Sequence, residues 1–425
     1  MNNKKIDYMS DIFFYQGTTN LLKDIKEKES IDESLSDLQL QEIRKRITEF
    51  FNIKNIHFLF GSGTSCNAIP NMKGLFKKVI MAIITSKNTS KEEAYKEIWQ
   101  EFKAINKRIR EKGNLEEILG ILYSNRIYLE NYIERKTEYE RCVKLIDFIE
   151  QIIFNEINID FKADKAKIVL SNYQRFYQKL AFRNKDLSRL NIFTTNNDLF
   201  NETALDSLNI HYINGFGGGI NKFFNPALFS YIFSKRMDTS IEKYEPVENM
   251  VNLYKIHGSV NWIEDNSNVN TFFKIREVSY PEKLKAKKNI LIYPTPTKQN
   301  KSLGSPYVEL FREFQKKLLI PHSVLFVIGY SFSDEHVNNI IYQALATNST
   351  INIVIINDVC NKEIAQISDN RIFRIWGNVD VDGDNKTIHY FDYIVNNLLP
   401  DVDATKNQDT ILKQFIDYYN KKQPE

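Results

Sequence analysis

Short, continuous apolar runs recur along the chain, separated by longer segments in which apolar residues have helical spacing. A continuous run of about 4–8 residues is typical of a strand buried on both faces of a parallel sheet. Such runs lie at residues 56–60, 190–194, 211–214, 251–257, 290–293, 323–328 and 351–356. Helical spacing lies between them, most clearly at 35–51, at 306–319 and from 334 to 345. Strands that alternate with helices predict an α/β fold with a doubly wound parallel sheet and right-handed crossovers.

Residues 72–185 depart from this alternation, because they have helical spacing almost throughout and contain no proline. The pattern predicts a large helical insertion whose Tyr, Phe and Ile stripes serve packing. The expected domains are an N-terminal arm or short helices at 1–35, an α/β domain at 36–71 and 186–400, the insertion at 72–185, and a C-terminal amphipathic helix at 401–425.

Composition limits the classes of function. Lys and Arg total 57 and Asp and Glu total 54, so the net charge of +3 predicts no strong attraction for nucleic acid. The three cysteines, Cys66, Cys142 and Cys360, form no Cys-x-x-Cys pair, which argues against a zinc knuckle or a disulfide framework. We find no signal-peptide pattern and no apolar run near the roughly 20 residues that span a bilayer. We therefore expect a cytoplasmic protein without a membrane segment.

Polar residues follow the predicted strands at their carboxyl ends, where doubly wound sheets bind ligands. These strand ends are at 61–65, 194–198, 257–259, 329–331 and 357. In the first, Gly61 and Gly63 allow the backbone to approach a pyrophosphate, with the following N–H groups facing the anion. Cys66 stands where the dinucleotide fingerprint has its third glycine, so a plain strand–helix connection remains an alternative.

The other strand-end residues also have structural alternatives. Asn196 and Asp198 can be turn formers or helix caps, and a histidine before glycine, as at His257, can be a satisfied structural residue. Ser331 can bind phosphate or cap a turn, and we expect Ser333 to cap the helix that starts at 334. Ser36 or Asp37 is the expected cap of the first helix. The cluster at 283–288 predicts a solvated, Lys-rich part of a surface excursion at 264–289.

Taken in order, these strand ends resemble those of the sirtuin family. Residues 61–65, followed by Ala-Ile-Pro at 68–70, are similar to the family's Gly-Ala-Gly-x-Ser and Gly-Ile-Pro. Residues 194–198 are similar to Thr-Gln-Asn-Ile-Asp, and 256–259 to its His-Gly-Ser strand end. Gly329-Tyr330-Ser331 stands where the family has Gly-Thr-Ser, and Asn357 where an Asn meets the adenosine. The resemblance implies a Rossmann-like, NAD-binding fold.

The resemblance also implies roles for individual residues. Asn196 and His257 become the catalytic pair, because an amide can hold a ribose hydroxyl or water and an imidazole can accept a proton. Asp198 resembles the residue that contacts the nicotinamide carboxamide. The remaining dinucleotide-binding residues are Gly61, Ser62, Gly63, Thr64, Ser65, Gly329, Ser331 and Asn357.

One departure from the family and one closer similarity narrow the resemblance. Residues 257–331 contain no cysteine, so the four-cysteine zinc module of the deacylases is missing, and we expect no metal. Residues 255–262 and 329–336 are more similar to the sirtuin-like effectors of prokaryotic anti-phage defence. That group implies an NAD+ glycohydrolase with NAD+ as substrate. We separately expect a homo-oligomer, with the helical insertion at 72–185 as its surface. The group also implies a separate sensor or ATPase, such as a HerA-type hexameric translocase, with nucleic acid involved only indirectly. The alternatives are an NAD-dependent protein deacylase and a non-catalytic sensor of NAD or an ADP-ribose derivative.

Overall fold

The structure is a computed structural model that describes most of the chain. The described residues are 11–25, 34–89, 93–108, 115–181, 183, 187–237, 244–247, 250–265, 274–279, 289–291, 306–381 and 383–400. The helices are α1 (Leu35–Phe51), α2 (Met72–Thr89), α3 (Glu93–Arg108), α4 (Leu115–Glu130), α5 (Lys136–Ile157), α6 (Asp164–Leu180), α7 (Phe200–Ser207), α8 (Tyr307–Leu318) and α9 (Glu335–Thr347). No helix in these ranges is long and apolar enough to cross a bilayer.

The strands are numbered in chain order. They are β1 (Ile12–Gln16), β2 (Thr19–Asn20), β3 (Asn55–Phe60), β4 (Leu190–Thr194), β5 (His211–Ile213), β6 (Phe216–Gly217), β7 (Lys222–Phe224), β8 (Ser234–Arg236), β9 (Tyr244–Pro246), β10 (Met250–Lys255), β11 (Gly258–Glu264), β12 (Ile275–Glu277), β13 (Asn289–Leu291), β14 (Ser323–Ile328), β15 (Ile351–Ile356), β16 (Ile372–Val381) and β17 (Asp384–Thr387).

The main sheet is doubly wound, as the alternating pattern predicted. Its strand order is β2-β1-β16-β15-β14-β3-β4-β10-β5, and all pairings from β16 to β5 are parallel. From β10 to β16 this order corresponds to the 3-2-1-4-5-6 order of the Rossmann-like fold, with β3 as the first strand. The predicted fold class is therefore confirmed. The switch point lies between β3 and β14, where the chain changes direction across the sheet.

Helices cover both faces of this sheet. Residues of β3 alternate between the two cores, with Phe58 and Phe60 packed in the core under α1, α6 and α7. Leu59 packs in the core under α8 and α9. This alternation explains the continuous apolar runs, since each successive side chain faces a different buried layer.

The helical insertion has a core of its own, made by α2 to α5, in which Phe102, Leu119 and Ile149 are buried. Helix α6, which the sequence pattern groups with the insertion, instead packs on the main sheet. Its Tyr173 and Phe176 belong to the same core as the strands.

Residues 11–25, within the expected arm or short helices, instead contribute β1, which joins the main sheet antiparallel to β16. Aromatic packing explains the difference. Phe13 and Tyr15 stack on Trp376 with ring centroids 5.1 and 5.4 Å apart, and Phe14 is fully buried. The cap of α1 is Ser34, in a capping box with Asp37, and not Ser36 or Asp37.

Strand β11, which follows His257 directly, belongs to a smaller antiparallel sheet ordered β13-β11-β12-β7-β6. Three expectations change at this point. The strand predicted at 251–257 ends at Lys255, and the expected surface excursion at 264–289 contributes β12. The strand predicted at 290–293 pairs as β13 in this sheet and not in the main one. The predicted helix at 401–425 and the Lys-rich cluster at 283–288 lie outside the described residues.

Candidate functional site

The turns after β3 and β14 are in direct backbone contact at the switch point. Gly61 N donates to Ile328 O (3.0 Å) and Gly63 N donates to Gly329 O (2.9 Å). A Cβ on Gly61 would lie 2.5 Å from Gly329 O, and one on Gly63 would lie 2.6 Å from Gly329 Cα. Gly329 itself has φ of +64°. The glycines therefore allow the two turns to pack together. The role predicted for them from the sequence was a different one, the close approach of the backbone to a pyrophosphate.

Two hydroxyls of the β3 turn point into the protein. Ser62–Ser65 form a short 3-10 turn in which Thr64 and Ser65 are buried and Ser62 is exposed. Tyr173 of α6 lies above them, with Oη 2.7 Å from Thr64 Oγ1 and 3.0 Å from Ser65 Oγ. Burial raises the pKa of Tyr173, so the phenol stays neutral. Tyr173 lies outside the sequence prediction, because its aromatic stripe indicated only packing.

Asn196 is bonded to the same two hydroxyls. Its Nδ2 donates to Thr64 Oγ1 (3.0 Å) and to Ser65 Oγ (3.3 Å), and its backbone N donates to Thr194 Oγ1 (3.0 Å). These bonds fix the amide plane and leave Oδ1 as the acceptor of the group. The side chain is buried, and the bonds join the ends of β3 and β4.

Asp198 is buried one turn further on. Its Oδ1 accepts from Phe200 N (3.1 Å) and its Oδ2 accepts from the hydroxyl of Ser65 (3.0 Å). Burial raises the pKa of Asp198, and the nearby Lys255 opposes this rise. Both carboxyl oxygens thus bond within the protein, and the predicted nicotinamide contact stays a prediction.

A buried ion pair lies behind this turn. Lys255 Nζ is 2.9 Å from Glu202 Oε1, although the angle is not that of a hydrogen bond, so we treat the contact as ionic. The same ammonium donates to the carbonyl oxygen of Asp198 and lies 3.4 Å from Asn197 O. Lys255 therefore holds the backbone of the β4 turn. The sequence signal was a lysine inside an apolar strand, which the prediction passed over.

His257 follows β10 on the neighbouring strand end. Asn197 Nδ2 donates to His257 O (2.7 Å) and to Gly258 O (3.1 Å), and Gly258 has φ of +83°. Nε2 of His257 lies 3.1 Å from Asp334 Oδ2. Its N–H is not aligned as a hydrogen bond, so this is an electrostatic contact. The histidine is only 9% exposed.

The β14 turn carries the remaining predicted residues. Ser331 is exposed and its Oγ lies 2.8 Å from Ser333 Oγ. The cap of α9 is Asp334 and not Ser333, because Asp334 Oδ1 accepts from the backbone N of His336 (2.9 Å) and Val337 (3.3 Å). Asn357 Nδ2 donates to Tyr330 O (3.0 Å), which joins the ends of β14 and β15.

The predicted strand ends thus form one group connected by hydrogen bonds and the His257–Asp334 contact. Ser62 and Ser331 are exposed, whereas Thr64, Ser65 and Asp198 bond inward. Within the described ranges no three His, Cys, Asp or Glu residues are grouped in a way that could hold a metal ion.

A comparison with protein families supports the resemblance for part of the chain. Residues 190–368 match the family model for a SIR2-like domain. The match covers less than half of the 425 residues and begins at β4, so the Gly61–Gly63 turn of β3 lies outside it. No curated protein matches the chain. SIR2-like domains bind NAD+, and the matched part of this chain is accordingly similar to a domain of NAD-using proteins.

Proposed function

We propose that this chain is an NAD+ glycohydrolase, which converts NAD+ and water into ADP-ribose and nicotinamide. The bond between C1′ of the nicotinamide ribose and the pyridinium nitrogen breaks, and nicotinamide leaves as a neutral molecule. The oxygen of water bonds to C1′, and the proton of that water passes to a base and then to solvent. NAD+ is consumed as a substrate.

One observation carries the proposal. Asn196 and His257 lie at the ends of adjacent parallel strands, and a hydrogen bond joins the two turns that contain them. β4 and β10 pair in register from Leu190–Val251 to Thr194–Lys255. Asn197, the neighbour of Asn196, donates to the carbonyl of His257 at 2.7 Å. An acceptor amide and a proton acceptor at neighbouring strand ends suit hydrolysis at a ribose carbon, where each group supplies a rate enhancement of roughly 10²–10⁴-fold.

The other predicted residues supply binding. The exposed hydroxyls of Ser62 and Ser331 are available to phosphate oxygens, whereas Thr64 and Ser65 act by orienting Asn196. Asn357 donates one N–H of Nδ2 to Tyr330 O, so its second N–H and its Oδ1 remain to meet the adenosine.

The test is incubation of the purified chain with NAD+, alone and with candidate partners, followed by chromatography of the products. Asn196→Ala and His257→Ala should each lower NAD+ consumption by about 10²-fold or more. Asn339→Ala and His211→Ala replace exposed residues of the same types and should leave the rate unchanged. Thermal unfolding must show that each variant is folded. Full NAD+ cleavage by either folded site variant would contradict the assignment.

The product analysis also separates the alternatives. Nicotinamide released only when an acyl-lysine peptide is present would indicate a deacylase. Binding of NAD+ in calorimetry without any product under all conditions would indicate a sensor.

We further propose that the hydrolysis serves anti-phage defence by depleting NAD+ under the control of a partner protein or ligand. The support is the similarity of residues 255–262 and 329–336 to such effectors, and the match of residues 190–368 to a SIR2-like domain. Neighbouring genes that encode a hexameric ATPase would support the role, and expression in infected cells with NAD+ measurement would test it.

A further inference from the structure

We infer that Asp334 is a positioning residue for His257. It holds the neutral imidazole with its proton on Nε2, which makes Nδ1 the nitrogen that accepts a proton during catalysis. The inference rests on the proposed role of His257 as the base, but its structural half can be tested without any NAD+ turnover.

The first support is the different surroundings of the two ring nitrogens. Nε2 is fully buried and lies 3.1 Å from Asp334 Oδ2. The side chain of His257 is 11% exposed, so this exposure belongs to side-chain atoms other than Nε2. Among the residues that the structure describes, none makes a hydrogen bond to Nδ1. The nitrogen facing Asp334 is therefore enclosed, whereas Nδ1 has no competing hydrogen-bond partner in the described part of the chain.

The second support is that the carboxyl group of Asp334 cannot easily turn away. Its Oδ1 accepts from the first backbone N–H groups of α9, as the cap of that helix. A helix N-terminus stabilises a negative charge at this position. With Oδ1 committed to the helix, Oδ2 is the atom directed at His257. Tyr330 Oη, which lies 3.1 Å from Asp334 O, fixes the backbone of the same residue.

The preferred tautomer follows from the 3.1 Å electrostatic contact and from what each group can donate or accept. A carboxylate only accepts, whereas a neutral imidazole donates from one nitrogen and accepts at the other. Facing Asp334, the ring is most stable with its proton on Nε2, which leaves a lone pair on Nδ1. When Nδ1 accepts a proton, Asp334 stabilises the imidazolium cation. An acid that orients a catalytic histidine in this way is known from the Ser-His-Asp triads.

The informative variant is Asp334→Asn. Asparagine is as good a helix cap as aspartate, so α9 should remain intact. Capping requires the amide oxygen to face the helix, which places the amide NH₂ against Nε2. A donor at that position favours the opposite tautomer, in which Nδ1 carries the proton. Nδ1 then cannot accept a proton from the substrate or water. Asp358→Asn is the matched control, because Asp358 accepts from Cys360 N (3.2 Å) at the end of β15 and is exposed.

Two measurements decide the question. Two-bond ¹H–¹⁵N spectra of protein with ¹⁵N-labelled histidine report the tautomer of each ring. The spectra are recorded at rising pH until the ring signals stop changing. The signal of His257 is the one that disappears in His257→Gln. We expect Nε2–H in the wild type and in Asp358→Asn, and Nδ1–H in Asp334→Asn. Turnover should fall roughly 10²–10⁴-fold in Asp334→Asn with KM changed by less than about 3-fold.

The outcomes separate the two proposals. An Nδ1–H tautomer in the wild type, or an unchanged tautomer and rate in Asp334→Asn, would overturn the role of Asp334. If the tautomer changes as expected but neither the wild type nor any variant hydrolyses NAD+ under any condition, the positioning of His257 stands and the glycohydrolase assignment fails.

Discussion

At the scale of single residues, the Lys255–Glu202 pair shows how the site is supported from behind. The two side chains are 1% and 7% exposed, so neither charge can be hydrated if its partner is lost. Burial raises the pKa of Glu202, and Lys255 acts against that rise. The intact pair therefore adds little net free energy of folding, whereas removing one partner destabilises the protein strongly.

We predict that Lys255→Met lowers the free energy of unfolding by about 3–5 kcal/mol, because it leaves the Glu202 carboxylate buried without a cation. The double variant Lys255→Met/Glu202→Gln should recover at least half of the loss. In the exposed pair Lys235–Glu245, 2.8 Å apart, Lys235→Met should cost less than about 1 kcal/mol. Denaturant titration measures all three. A loss below 1 kcal/mol for Lys255→Met would show that water reaches the pair.

The strand-end positions of Asn196 and His257 were predictable from the apolar runs that precede them, whereas their catalytic roles rest on the family resemblance and stay predictions. Tyr173 was not predictable, because its contact depends on how α6 crosses the β3 turn. Asp334 was not either, since Ser333 and Asp334 are equally good caps by type. Phe332, immediately before them, has a positive φ of 52°, a loop conformation that no local pattern indicates.

At the scale of elements, a polar ladder crosses the apolar sheet. His57 of β3, Asn191 of β4 and Asn252 of β10 lie opposite one another in register. Asn191 Nδ2 lies 3.2 Å from His57 Nδ1, and Asn252 Nδ2 donates to Asn191 Oδ1 (3.0 Å). A slip of one residue would bury these groups without partners, so the ladder favours one register.

The ladder predicts a pH dependence of stability. Burial, aided by Lys317, lowers the pKa of His57 to about 3. The unfolded chain takes up a proton at its ordinary pKa of about 6.5, so the folded state loses stability as pH falls from 6.5 towards 3. Between pH 7 and pH 5 His57 should therefore contribute a loss of about 2 kcal/mol.

The comparison with His57→Gln isolates this contribution, because Asp198, Glu202 and His389 have shifted pKa values of their own. Guanidinium titrations at both pH values should show a smaller pH effect in the variant by that amount. His211→Gln, at an exposed histidine, should behave as the wild type. Identical pH dependence in the wild type and His57→Gln would exclude a neutral buried His57.

The parallel core strands were predictable because a strand buried on both faces has a continuous apolar signature, as at β14 and β15. The small sheet was not, since β6, β7 and β12 are two or three residues long and their pairings are between distant segments. β1 was missed because its partner, β16, lies more than 350 residues away, at Gly377 opposite Ile12.

At the scale of the whole molecule, the proposed activity requires restraint, since an enzyme that consumes NAD+ without control would harm its own cell. We predict a homo-oligomer that becomes active only with a second protein or a small ligand, and we favour the insertion formed by α2 to α5 as its interface. Exposed Ile127, Tyr128 and Ile133 lie on that insertion. Light scattering at micromolar concentration, with and without NAD+, tests assembly. A monomer in both conditions contradicts it, and rapid hydrolysis by the isolated chain contradicts the need for an activator.

The position of β3 has a consequence for the matched region itself. β3 lies between β4 and β14 and pairs with both, yet its residues, Asn55–Phe60, precede residue 190 by more than a hundred positions. A fragment cut to residues 190–368 would keep β4 and β14 with a gap of roughly 9.5 Å between them, twice the normal strand spacing. Both strands would then present unpaired, apolar edges of the kind that recruit other chains into aggregates. The segment recognised by family comparison is therefore not a folding unit, and its central strand has to be supplied from the other side of the helical insertion.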